Sequence, residues 1–165
     1  MSERRRRRGE RSGGLFVGPL TSTGGARTLF SALDLFTGTR VEVLGPDAPR
    51  HRVRERMARA AYLVLPGTAY DTVPRPLIEA FASALPVIAS CAGVLADLIE
   101  PGRNGLLFEP GAARELARRL AWAEAFPEKM RQMGEYAQAD YHARFGADWT
   151  YQRLFGERRR YARAL

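Results

Sequence analysis

Short apolar runs alternate with amphipathic stretches along this chain. Leu15-Phe16-Val17-Gly18 reads as a buried strand that runs into a loop, residues 19–25, rich in Thr, Ser and Gly. Residues 26–36 then place Leu29, Phe30, Leu33 and Phe36 at helical spacing, and Thr37-Gly38 stops that helix. Four more apolar runs predict strands: Val41-Glu42-Val43-Leu44-Gly45, Tyr62-Leu63-Val64-Leu65-Pro66, Pro86-Val87-Ile88-Ala89-Ser90 and Gly105-Leu106-Leu107-Phe108. Between them the spacing predicts helices over 51–60, 75–84 and 93–99. Pro76 falls in the first turn of the second of these, where a missing N–H does no harm. Helical stretches at 112–124, 128–143 and 148–163 close the chain.

Apolar strands alternating with helices are the pattern of a parallel sheet covered on both faces. The expected fold is therefore α/β: a single Rossmann-like domain with a C-terminal helical extension. Ligands of such sheets bind beyond the carboxyl ends of the strands, near a switch in strand order. Three loops stand at those ends, 18–25, 67–75 and 90–93.

Composition narrows the picture. The chain has 165 residues and is 45% apolar, enough for one compact domain and too much for wholesale disorder. One cysteine, Cys91, excludes a disulfide framework and is expected as a small buried residue; no Cys/His cluster has zinc spacing. No apolar stretch reaches membrane-helix length, and no signal peptide is visible, so a reducing cytoplasmic setting is expected. The net charge is +8 and sits at the ends. Residues 1–12 hold six arginines against two glutamates, residues 153–165 five against one, and the body between is neutral. Residues 1–13 are read as a basic disordered tail and 14–165 as the folded domain. No base-stacking aromatics interleave with the arginines, which argues against nucleic acid or a membrane surface as the main partner. His51 and His142 have no partner at a telling distance; Trp122, Trp149 and Phe145 are expected in the core.

The densest chemistry runs from Asp71 to Ser90. Asp71 lies in a post-strand loop and Glu79 about one turn into the next helix, eight residues on. Two carboxylates so placed suit paired hydroxyls, and the nearby helix N-terminus offers free N–H groups to a phosphate. On spacing alone a solvated acidic pair is the better explanation of them, and plain turn chemistry is the better explanation of the Gly-rich turn at 18–25.

The whole pattern is more specific. It resembles the donor-binding half of the family 4 glycosyltransferases, retaining nucleotide-sugar enzymes built from two Rossmann-like domains in the GT-B arrangement. Their E-x7-E motif running into E-A-x-A-x-G-x-P-V-I-A-S is matched by Asp71, Glu79-Ala80, Ala82 and Pro86-Val87-Ile88-Ala89-Ser90. Their P-G-x-N-G-L-L-F-x-P-G is matched by residues 101–111. The resemblance spans roughly 14–162 and implies roles. Asp71 is the catalytic carboxylate facing the donor sugar, and Glu79 holds the ribose hydroxyls. Backbone around Thr72, Val73, Pro74 and Arg75 approaches sugar and phosphates, although Pro74 has no N–H to give. Gly18, Gly24 and Gly25 lie beside the diphosphate, and Ser90 and Gly93 complete the site. It implies no metal and no cofactor, a nucleotide-diphosphate sugar as ligand, a separate acceptor-binding domain as partner, and scope for self-association.

Four departures qualify the likeness. The leading carboxylate is Asp rather than Glu. The first loop, Gly18-Pro19-Leu20-Thr21-Ser22-Thr23-Gly24-Gly25, lacks the Arg and Lys that the family's G-R-L-S-x-E-K-G brings to the diphosphate; Arg27 or Arg75 are the candidate substitutes. Only about fifteen residues separate Gly45 from the next strand, so a strand of the usual sheet is expected to be missing. The acceptor half is absent. Two other readings stay open: a non-catalytic nucleotide- or protein-binding module, and an arginine-tailed adaptor.

Overall fold

The computed structural model describes residues 10–145. Within them five strands alternate with six helices: β1 (Gly14–Val17), α1 (Ala26–Leu35), β2 (Val41–Leu44), α2 (Arg50–Arg59), β3 (Tyr62–Leu65), α3 (Arg75–Ala82), β4 (Val87–Ser90), α4 (Leu95–Leu98), β5 (Gly105–Phe108), α5 (Ala113–Ala125) and α6 (Pro127–Arg144). Each falls within about two residues of its expected place. The helix expected at 148–163, and Trp149 with it, lies outside the described residues.

All strand pairs are parallel, in the order β2-β1-β3-β4-β5. A strand and its parallel neighbour need a crossover, and α1 to α4 supply it. The central strands β3 and β4 are buried at every position, as uninterrupted apolar runs require when both sheet faces are covered. Their side chains alternate between two cores. Leu15, Leu63, Leu65, Val87 and Ala89 join Val53, Met57, Leu77 and Phe81 on the side of α2 and α3. Phe16, Tyr62, Val64, Ile88 and Phe108 join Leu29, Ala32, Leu116 and Leu120 on the side of α1 and α5. Helix α6 crosses the sheet edge, giving Met130 and Met133 to the second core and Ala137 to the first. The edge strand β2 carries the exposed Glu42, which blunts it against stray pairing.

Three expectations change. The fold reaches further towards the N-terminus than residue 14: Arg11 donates to the carbonyls of Ser83 (2.7 Å) and Ala84 (3.1 Å), and the Ser12 amide donates to Arg59. Cys91 is exposed, because it follows the last residue of β4, where the chain leaves the core. Trp122 is only half-buried, packed against the second core and the Phe126 ring, while Phe145 is buried as expected.

Candidate functional site

In this strand order the chain leaves β1 for one side of the sheet and returns to the other, so β1 and β3 flank a switch point. Beyond their carboxyl ends lies a cavity of about 460 Å³. Val17, Val53 and Leu65 give it apolar walls. Gly18, Thr23 and Gly24 line it from the β1–α1 loop, Pro46, Ala48 and Arg50 from the β2–α2 connection, and Tyr70, Pro74, Arg75 and Glu79 from the β3–α3 region.

The loops are locked to one another by backbone contacts. Gly25 has φ +80°, and a Cβ there would stand 2.1 Å from the Pro66 carbonyl, so the β1–α1 turn rests directly on the chain leaving β3. The Thr68 amide donates to the Thr23 carbonyl at 3.0 Å. The buried Ser90 hydroxyl donates to the Gly67 carbonyl, and the Gly67 amide donates to the Tyr70 hydroxyl at 2.9 Å. Burial pushes that phenol up to about 12, so it stays neutral and holds its bond. Gly93, at φ +53°, is pressed against Tyr70 in the same way, a Cβ there falling 2.1 Å from the Tyr70 carbonyl.

The residues singled out from sequence thus separate by position. Gly18, Gly24, Pro74, Arg75 and Glu79 line the cavity together. Gly25, Ser90 and Gly93 lie behind it and fix the loops that form it. Val73 is half-buried, while Asp71 and Thr72 are exposed in the β3–α3 loop and do not line the cavity. The amides of Gly18, Gly24 and Gly25 are spent on Leu44, Thr21 and Ser22. None of the three is free for a ligand.

One charged cavity residue escaped the sequence reading. Arg50, first in α2, donates to Glu79 Oε1 at 3.2 Å, and Arg75 approaches the same oxygen at 3.1 Å. It had looked like part of a polar, exposed stretch. The available signal was its place just after the second strand, behind Pro49, at the carboxyl edge of the sheet. Arg27 does not line the cavity. Glu79 is mostly shielded, whereas both guanidiniums remain more than half exposed. No group of three or more potential metal ligands occurs among the described residues, and none of their helices is long and apolar enough to cross a membrane.

Comparison with known proteins agrees with this architecture. The chain is 32% identical over 123 residues to an exopolysaccharide phosphotransferase of Streptomyces coelicolor, covering 74% of this chain but only 12% of that protein. The C-terminal domain of a glycosyl transferase group 1 family protein (LpcC) from Francisella tularensis superposes with a TM-score of 0.71 at 17% identity, over 82% of this chain and 87% of that one. HepE of Anabaena, crystallised with UDP and glucose, gives a TM-score of 0.74 at 23% identity over 90% of this chain and 48% of that one. The fold is therefore that of a Rossmann-like domain of the GT-B type. The family model for glycosyl transferases group 1 matches residues 16–140, and the chain belongs to that family.

Proposed function

We propose that this domain binds the nucleotide-sugar donor of a retaining family 4 glycosyltransferase, as the C-terminal half of a GT-B enzyme whose acceptor-binding half lies outside this sequence. The observation that carries the reading is the cavity at the β1–β3 switch point, with Glu79 on its wall and a glycine-rich turn on the opposite rim. Its apolar walls suit a nucleobase, and its charged end suits ribose and diphosphate. Glu79 accepts from the ribose hydroxyls. Gly18 and Gly24 admit the diphosphate by lacking side chains rather than by donating amides. Asp71, with the backbone of Thr72 to Arg75, faces the sugar across the cleft that the acceptor half closes. A single cysteine fits a reducing cytoplasm, where such donors are used. Transfer needs the second domain, since this chain spans about half the length of the HepE structure.

Calorimetric titration of the chain with UDP-, GDP- and ADP-glucose tests the donor site. One of the three binds saturably, and Glu79→Ala weakens it about tenfold or more, the worth of a hydrogen bond to a charged group. Flat titrations with all three overturn the reading.

A second reading has its own observation. Asp71 stands outside the cavity, and the loop cations of the family are missing. On this view the domain binds a nucleotide and transfers nothing. It expects binding that Asp71→Ala leaves intact and no release of nucleotide from the donor when an acceptor half is added.

A further inference from the structure

Arg50, Arg75 and Glu79 are the charged side chains that line the cavity, and they sum to one positive charge. Resting on the donor-site reading above, we propose that Arg50 and Arg75 together bind the diphosphate, and that Glu79 holds the two guanidiniums over the cavity until the ligand arrives.

The main chain leaves this task to side chains. The Gly18, Gly24 and Gly25 amides are already bonded within the protein. At the start of α3, Pro74 and Pro76 have no N–H, so the backbone there is poor in donors. A diphosphate in the cavity still needs charge-assisted donors, and guanidinium forks match its oxygens in pairs. The two arginines come from different elements, the first residue of α2 and the first residue of α3, and they converge on one oxygen of Glu79. Two like charges approach one another here because a carboxylate sits between them.

The arrangement also suits exchange. Ion pairs with guanidiniums this exposed contribute little to stability, so phosphate oxygens displace Glu79 at small cost. The carboxylate released from Arg50 and Arg75 is then available to the ribose hydroxyls. Phosphate and ribose recognition are thereby coupled through one residue.

The test compares the wild-type chain with Arg50→Gln, Arg75→Gln, the double variant and Arg52→Gln, an exposed neighbour on α2 that does not line the cavity. UDP, GDP and ADP are titrated calorimetrically, and uridine, guanosine and adenosine by ligand-observed NMR, which reaches weak binding. For the nucleotide that binds, each cavity variant lowers the diphosphate affinity about tenfold or more while the nucleoside affinity holds. Arg52→Gln changes neither, and the double variant flattens the salt dependence. If diphosphate binding persists unchanged in the double variant, the arginine assignment is overturned and the donor site stands. If no nucleotide binds the wild type, both fall together.

Discussion

Ala84 occupies a backbone position that a side chain resists. Its φ is +55°, and it is the one non-glycine residue with positive φ among those described. It follows α3, where the Leu85 amide reaches back to the Ala80 carbonyl at 2.8 Å in a left-handed helix end. The family motif carries glycine at this step, and this sequence carries alanine. Left-handed backbone costs alanine about 1–2 kcal/mol. Glycine would recover that and give back about 0.4–1 kcal/mol to the entropy of the unfolded chain. Ala84→Gly is therefore expected to stabilise the domain by about 0.5–1 kcal/mol, read as a higher urea midpoint at unchanged m. A lower midpoint would show that the cost lies elsewhere. Arg11 compensates in part, since its guanidinium caps the carbonyls of Ser83 and Ala84 at this same turn.

The connection between α4 and β5 shows what a motif does when seen in the fold. Asn104, buried, accepts from the Glu100 amide and donates to the Leu98 carbonyl, closing the turn that feeds β5. Its amide also donates to Asp140 of α6 at 2.9 Å, and Arg103 adds a two-pronged contact at 2.6 and 2.8 Å. This pins the long helix to the sheet edge it crosses. Burial raises the Asp140 carboxyl, but the hydrogen bonds from Arg103 and Asn104 outweigh it and hold the pKa below its ordinary value. A depressed carboxylate stabilises the fold fully above its unfolded pKa, near about 3.9, and loses that contribution as pH falls through the folded value. Asp140→Asn should cost about 1–3 kcal/mol in urea unfolding at pH 7, because it removes the charge and replaces one acceptor oxygen with an NH2 that faces the donors of Arg103 and the buried Asn104. The gap between variant and wild type should then narrow below about pH 4. An equal gap at pH 7 and pH 3 would rule out the charge as its source.

Taken as one body, the domain places its most protected backbone directly beneath the loops that rim the cavity. Strands β3 and β4 have neighbours on both sides and helices on both faces, while residues 18–24 after β1 and 71–73 after β3 run over the surface. Amide hydrogen exchange is expected to be slowest in β3 and β4, approaching global unfolding, and fastest in those two loops. A β2 more protected than β3 would contradict the sheet order. A floor that does not yield is what a donor cavity requires, since it sets where the loops above it stand.

Strand and helix positions were readable from the chain because they rest on short-range physics. Apolar runs must be covered, helical spacing makes a face, and glycine and proline punctuate; these act over a few residues. The likeness between 71 and 111 was readable for the same reason, being a contiguous string. Arg50 was not. It sits 29 residues from Glu79, and only its place behind Pro49 at the start of the helix sets it apart from Arg52 and Arg54. It meets Glu79 because α2 and α3 cover the same face of the sheet and both begin beyond the carboxyl ends of its strands. Cys91 makes the same point in reverse. Its apolar neighbours placed it in the core, and the path of the folded chain left it in solvent. Pairing between distant strands is settled by packing the whole molecule, and with it which charges face one another.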